Sequence, residues 1–517
     1  MNGLSDGVRT LLKVMACFGS STNESVIGYL SESVEYSGFR NGLGGAVSDG
    51  FIEMDGEGNF KFVHDKVREA AYNLIPDSDK KQGKVVDAYN TCSFVLLQLG
   101  ESIPDSVTPE AAKTMGKDTL TIYEDVYDDD WLERKMEDEN LRTIVKFYGA
   151  IVFLAHFCRS RYTAIYFICK AVQLSLRNGA CKYTPHSLLQ LIGFAMEEEK
   201  NAASLYRIAK NAMSLSERFD IGGDQMSGVF MNFYGRIAWH FEPFQVCGGN
   251  LRRGFESGLS SGSNRGFHCA FHVIKTGIIS GEKLASLLKE IDYYLHLLKT
   301  YKSELMRNAL LISRETVSAL IDKGHATSIE AKASNDFRRE PVFFHQAFRA
   351  YWQGHGVRCH HFFEKCSELS GQYVQLNPFL LKFYHGLNSL DVLKKKKSHT
   401  TKYREVVRDA ISALTNAAAN SDWNFTNKLR LLEAEQQSLT RNHWQALPLY
   451  DASIASAISS GFIHEQGLAC EKAGLYCKSE KNNQKALEYF IQARKCYEEW
   501  GSSMKVDFIQ KELDDLC

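Results

Sequence analysis

At 517 residues the chain is too long for a single compact core unless it is an elongated stack of repeats. It carries 61 basic and 62 acidic residues, so no net field recruits nucleic acid or an anionic membrane. Its 13 cysteines are scattered without a C-x-x-C pair, which fits a reducing compartment and argues against a disulfide framework.

The start, "MNGLSDGVRTLLKVMACFG", lacks the basic start and long apolar core of a signal peptide. The most apolar run, "FYGAIVFLAHFC" at 147–158, is too short to span a bilayer and reads as a buried helix. A soluble cytoplasmic protein with no membrane partner is expected. Only eight prolines, with Leu, Ala, Lys and Glu abundant, predict a mainly α fold.

The first helix follows from the spacing of Val8, Leu11, Leu12, Met15 and Ala16. Asn23 is expected to cap a second helix reaching about Ser33, and a third runs from Phe39 to Val47. "GFIEMDGEGNFKFV" then reads as a strand from Phe51 to Met54, a glycine turn, and a strand from Phe60 to Val63. Three helices and a hairpin predict a winged-helix domain over 1–78. Such a domain often reads DNA, but its third helix offers only Arg40 to base edges and phosphates. The wing, "MDGEGN", is acidic and repels phosphates. A winged-helix DNA-binding transcription regulator is therefore the alternative reading, and nucleic acid is not an expected partner.

From about Lys80 onward the pattern becomes paired helices, predicting an α-α superhelix of tetratricopeptide-like hairpins. It divides into a first helical-repeat region over 79–330 and a C-terminal one over 331–517. A small, bulky, small trio recurs at Ala164, Ile168 and Ala171, at Ala202, Tyr206 and Ala209, at Ala446, Tyr450 and Ser453, and at Ala486, Phe490 and Ala493. The first two trios are 38 residues apart and the last two 40 apart, slightly above tetratricopeptide length. A small residue admits the neighbouring helix and the bulky one fills the gap. Such units stack with contacts only to neighbours. Residues 100–118 read as a turn-rich break, 124–140 as the acidic, solvated face of a helix, and 394–402 as a solvated lysine loop.

"HGVRCHHFFEKC" places His355, Cys359, His360, His361 and Cys366 close together, which invites a zinc reading. Yet Cys359, Phe363 and Cys366 repeat the small, bulky, small trio, so core packing is expected and no metal is assigned. His268 and His272 in "HCAFH" lie one turn apart and are expected on a helix surface. No catalytic residues are assigned. "GIISGEK" at 277–283 is not a phosphate loop, and no G-x-S-x-G, H-E-x-x-H or kinase signature occurs.

"LLKVMACFG…FKFVHDKVREAAYNLIP" resembles the winged-helix segment of large signalling proteins that carry a STAND-type, AAA-like predicted ATPase, often between serine/threonine kinase-like and histidine kinase regions. The resemblance continues through "SLRNGACKYTPHSLLQLIGFAM", "FHQAFRAYWQGH" and "DWNFTNKLRLLEAEQQSLTRNHWQALPLYDASIASAISSGFIHEQGLACEKAGLYC", and closes in "ALEYFIQARKCYEEWGSSMKVDFIQKEL". It implies a non-catalytic regulatory and protein-interaction module, with repeats binding a protein or peptide partner or an effector. The winged helix would couple them to a nucleotide-binding or kinase module, in cis or in trans, absent from this chain. No cofactor is expected in the chain itself, and ATP or ADP enters only with an upstream nucleotide-binding module. In that family a His-Asp of "MHD" type senses the phosphates of ADP, and "VHD" matches it at His64 and Asp65. The residues alone also allow His64 to pack the wing and Asp65 to cap the next helix.

Overall fold

The computed structural model describes residues 4–18, 21–23, 27, 39–55, 59–64, 66–67, 70–71, 83–126, 129–198, 202–262, 265–301, 304–322, 339–369, 378–395, 400–439 and 443–516. The protein is mainly α-helical. It divides into two compact units, Met1–Phe233 with Glu256–Gly266, and Tyr234–Phe255 with Phe267–Cys517.

The first unit begins with α1 (Asp6–Phe18), β1 (Ser21–Asn23), α2 (Phe39–Ser48), β2 (Ile52–Met54) and β3 (Asn59–Phe62). Val8, Leu11, Leu12, Met15 and Ala16 of α1 are buried, as their helical spacing requires. Gly42 of α2 has a packing reason. A Cβ on Gly42 would lie 2.7 Å from the Gly7 carbonyl oxygen, so only glycine lets α2 approach α1 this closely. The hairpin pairs as expected, Ile52 opposite Phe62 and Met54 opposite Phe60. A third strand was not anticipated: β1 pairs antiparallel with the other edge of β3, in the order β1-β3-β2. Asn23 is the last residue of that strand. The rest of the helix expected up to Ser33 lies outside the described residues, apart from the buried Ile27.

The unit continues through α3 (Gly83–Gln98), α4 (Pro109–Val126), α5 (Asp129–Glu133), α6 (Glu139–Cys158), α7 (Arg161–Asn178), α8 (Thr184–Glu198), α9 (Ala202–Arg218) and α10 (Gly223–Asn232). The expected break at 100–118 is shorter than its composition suggests. Pro109 opens α4, where a missing N–H costs nothing, and Thr108 Oγ1 accepts from the Ala111 N–H at 3.2 Å. The acidic run at 124–140 is not one solvated helical face. It spans the end of α4, α5, where Trp131 is buried, and an extended stretch before α6, where Met136 is buried. Asp138 then caps α6, accepting from the N–H groups of Asn140 and Leu141 at 2.7 and 3.1 Å. Ala164, Ile168 and Ala171 are buried as predicted. The trio on α9 is displaced: Ala202 and Tyr206 are only half-buried, and Leu205, Ile208, Ala209, Ala212 and Leu215 form the core stripe.

A π-turn (Phe233–Ile237) and a 3-10 turn (Ala238–His240) lead into α11 (Phe244–Ser260). They are followed by α12 (Gly266–Ser280), α13 (Leu284–Thr300), α14 (Glu304–Ile321), α15 (Arg339–Trp352), α16 (Gly356–Leu369), α17 (Pro378–Lys395) and α18 (Thr400–Asn420). The chain ends in α19 (Asp422–Leu439), α20 (His443–Ser459), α21 (Ile463–Ser479), α22 (Asn483–Trp500) and α23 (Ser503–Asp514). Within the second unit, α15 to α22 pack as four successive helix pairs. Their seams set glycine against bulky rings. A Cβ on Gly474 would come 2.6 Å from the Phe490 ring, and one on Gly467 would come 2.8 Å from Tyr497. Ala486, Phe490, Ala493 and Tyr497 are fully buried.

The expectation that each unit touches only its neighbours fails at the C-terminus. Ser502 Oγ donates to the Leu320 carbonyl at 2.5 Å and Ser503 Oγ to the Ile321 carbonyl at 2.6 Å. These hydroxyls satisfy end-of-helix carbonyls of α14 that have no partner within their own helix. Trp500 also lies 5.0 Å from Trp352, ring centre to ring centre. The end of the chain thus closes back onto α14 and α15. Among the described residues no helix is long and apolar enough to cross a membrane.

Phe490→Ala should cost about 3–5 kcal/mol, the usual penalty for emptying an aromatic core site. Hydrogen exchange should show α21 to α23 losing protection together with α14, through the Ser502 and Ser503 contacts. Full retention of protection in α14 would show that the closing contacts contribute no stability.

Candidate functional site

His64 follows β3 at a bend and is exposed, its Nδ1 accepting from the Lys66 N–H at 3.1 Å. This is a local turn-forming bond of the kind side chains make with nearby backbone. Asp65 lies outside the described residues.

The 355–366 segment does not converge. His355 and His361 are exposed, whereas Cys359, His360 and Cys366 are buried. Cys359 Sγ faces the Ala347 carbonyl at 3.4 Å, and burial pushes its thiol well above the ordinary range. His360 Nδ1 shares a hydrogen bond of 3.0 Å with His385 Nε2, while its Nε2 lies 3.4 Å from Glu364. Burial first, and then His360, lower His385 to about 4, so this is a neutral imidazole pair at ordinary pH. Among the described residues no three His, Cys, Asp or Glu side chains are arranged to hold a metal. His272, expected on a surface, is buried, with its ring close to where a Gly235 Cβ would stand. Burial holds it well below the ordinary histidine range.

The most developed polar constellation lies in the second unit, where alternate helices α17, α19, α21 and α23 are joined by ion pairs. Lys394 of α17 meets Glu435 of α19 at 2.7 Å, and Lys428 of α19 meets Glu465 of α21 at 2.7 Å. Lys472 of α21 returns to Asp391 of α17 at 2.5 Å, and Lys505 of α23 meets Glu471 of α21 at 2.5 Å. Hydroxyls complete the carboxylates: Tyr450 donates to Glu435, and Tyr497 to Glu471 at 2.6 Å. The adjoining hairpins thus share one continuous charged face.

The pairs differ in electrostatics. Burial outweighs attraction at Lys428 and Glu465, lowering the amine and raising the carboxyl, so this pair is held at a high desolvation cost. Lys428 is compensated by the Asn424 carbonyl at 2.8 Å and by the Phe462 ring, whose centre is 3.9 Å away. At Glu435 burial alone would raise the carboxyl, but Lys394 and Lys472 outweigh it and hold it below the ordinary value. Burial likewise opposes the charge on Lys472, yet Asp391, Glu435 and Glu471 together raise it. His464 sits beside this network, its ring centre 6.0 Å from Trp352 and 5.4 Å from Trp500. Burial and then Lys428 keep it neutral.

The residue patterns contained this face without announcing it. In "LRLLEAEQQSL" and "LACEKAGLYC" charges stand at core spacing among Leu431, Leu432, Leu468, Ala469 and Ala473. A charge on the apolar stripe of a helix is the available signal, because a solvated charge belongs on the other face. Partner choice was not available from sequence, since Lys472 and Asp391 are 81 residues apart.

No protein-family model matches the chain, and no curated protein sequence matches it.

Lys428→Met should destabilise the second unit by about 3–5 kcal/mol, because Glu465 is left buried without its partner. The double variant Lys428→Met with Glu465→Met should recover most of that loss in denaturant unfolding. A second measurement follows from Glu435, whose ordinary value is 4.5 and whose folded value is lower. The unfolded carboxyl takes up a proton first, so its stabilisation is complete above 4.5 and is lost as pH falls through the folded value. Stability measured from pH 7 downward should therefore drop less steeply in Glu435→Gln than in the parent.

Proposed function

We propose that the chain is a non-catalytic regulatory and protein-interaction module of a STAND-type signal-transduction protein. The N-terminal helices and three-stranded sheet act as a winged helix, coupling a tetratricopeptide-like superhelix to a nucleotide-binding or kinase module outside these residues. The superhelix takes a protein or peptide partner, and the setting is cytoplasmic. The observation that carries this reading is the face on which α17, α19, α21 and α23 meet. Ion pairs buried along this seam hold the hairpins in one register, which keeps the outer surface of a stack fixed for an extended polypeptide. Asp391 and Lys394 are its partly exposed members, with 28% and 33% side-chain exposure.

The local packing supports the same reading. Buried small, bulky, small trios at Ala446, Tyr450 and Ser453 and at Ala486, Phe490 and Ala493 give the close helix approach that stacked hairpins need. At the N-terminal end, the glycine crossing of α1 and α2 and the β2-β3 hairpin are parts of a winged helix. His64, exposed just after β3, is the residue proposed to meet a phosphate of a docked nucleotide module. Asp65 is the second member of that motif.

Calorimetry with ATP and ADP tests the assignment. The chain alone should bind neither more tightly than about 1 mM, and any weaker affinity should vanish in His64→Ala. Micromolar ATP binding or steady hydrolysis by the isolated chain would overturn the non-catalytic reading.

A further inference from the structure

Within the second unit the hairpin α15–α16 is tied to the hairpin α17–α18 by two buried imidazoles. His360 of α16 and His385 of α17 are each 8% exposed, and His360 Nδ1 lies 3.0 Å from His385 Nε2. Two neutral rings so placed share one proton, one nitrogen donating its N–H and the other accepting with its lone pair. Aromatic neighbours flank both rings. Phe363 stacks on His385 with ring centres 5.3 Å apart, and the Tyr403 ring lies 4.7 Å from His360.

The charges around the pair come from three helices. Glu364 of α16 has a carboxylate oxygen 3.4 Å from His360 Nε2 and also pairs with Lys402 of α18. Asp409 of α18 acts on His385 from farther off and is held by Lys382 of α17 at 3.0 Å. His361, exposed on α16, opposes charge on its neighbour His360. Two further helices pack here with uncharged side chains. α15 meets α16 and α17 at Ala347 and Phe348, and α19 meets α17 at Leu432, beside Gly386.

This arrangement accommodates one extra proton and rejects a second. A first proton on His360 keeps Nδ1–H donating to His385 Nε2 and turns Nε2–H toward the Glu364 carboxylate. A second makes the accepting nitrogen of His385 a donor. Then N–H faces N–H, and two cations stand 3.0 Å apart in a buried seam. We propose that His360 and His385 form an acid-sensitive latch, which holds α16 to α17 while the rings share a proton and releases them when both are charged.

The surroundings set the direction of the response. Burial opposes charge on both rings before any neighbour acts. At His385, His360 and Lys402 add to burial against Glu364 and Asp409, and the ring is lowered to about 4. At His360, Glu364 opposes burial while Lys402 and His361 reinforce it, and the net direction is again downward. Both folded values lie below the ordinary 6.5, so the unfolded rings take up protons first. The pair's contribution to stability is therefore whole above 6.5 and is lost as pH falls from there toward about 4. The latch belongs to the seam between these hairpins and fails or holds independently of the proposed partner.

Native-state hydrogen exchange of the full chain at pH 7 and pH 5, corrected for intrinsic exchange rates, tests the latch. On acidification the parent should lose about tenfold more protection in α16 and α17 than the double variant His360→Asn with His385→Gln. The amides of that variant stand in for Nδ1 and Nε2 but do not titrate. Buried His272 and His464 add an acid sensitivity of their own, which this comparison subtracts. Glu364→Gln keeps both rings and removes the carboxylate that receives the first proton, so it should lose more protection at pH 5 than the parent. That variant decides the matter if the double variant does not fold. Equal acid losses in the parent and the double variant would overturn the latch, as would a Glu364→Gln response identical to the parent's.

Discussion

The second unit depends on putting charges where its hairpins meet. Lys428 and Glu465, 0% and 2% exposed, are ionisable groups taken out of water to face each other across α19 and α21. Desolvating two such groups costs several kcal/mol each, and their attraction recovers it only with good geometry and further hydrogen bonds. Both conditions are visible here, in the Asn424 carbonyl and Phe462 ring around Lys428 and in the Asn427 amide donating to Glu465. An apolar seam would tolerate sliding of one helix along the next. A buried pair does not, because a displaced partner leaves an uncompensated charge. The remaining pairs extend the same constraint, so the register of α17, α19, α21 and α23 is set by electrostatics as much as by packing.

Packing supplies the closeness that those pairs need. Glycine and alanine on one helix face large rings on the next, as where Gly474 receives Phe490 and Gly467 receives Tyr497. Without these recesses the helices would stand farther apart, and the lysine and carboxylate tips would not reach one another with the same geometry. Asn424 shows the same economy on a smaller scale. Its amide donates to the carbonyls of Trp239 and Glu242, and its oxygen accepts from the Phe244 N–H, closing the start of α11. The Ser502 and Ser503 hydroxyls on the carbonyls of α14 then make the unit's C-terminal end part of its middle.

Much of the local order was legible because it obeys short-range periodicity. The stripe of Val8, Leu11, Leu12 and Met15, the hairpin around "MDGEGN" and the trio at Ala486, Phe490 and Ala493 each follow from one element's own geometry. On α9 the buried stripe runs through Leu205, Ile208, Ala209, Ala212 and Leu215, so the trio's Ala202 and Tyr206 fall at its edge. Composition misled where polar residues serve as caps: the acidic run before α6 reads as a solvated face, yet Asp138 is bound to backbone N–H groups. Lys394 was expected in a solvated loop and instead continues α17 to meet buried Glu435.

By itself the sequence determined the mainly helical character, the β2-β3 hairpin, the small residues at close crossings, and the neutrality that leaves no broad field of one sign. These are properties of residues within a few turns of one another. Only the tertiary structure decided which charge answers which, since Lys472 and Asp391 are brought together by three intervening helices. It alone added β1 to the sheet and closed α23 onto α14. Burial is a relation between segments distant in the chain, and it sets the meaning of a buried lysine, histidine or tyrosine.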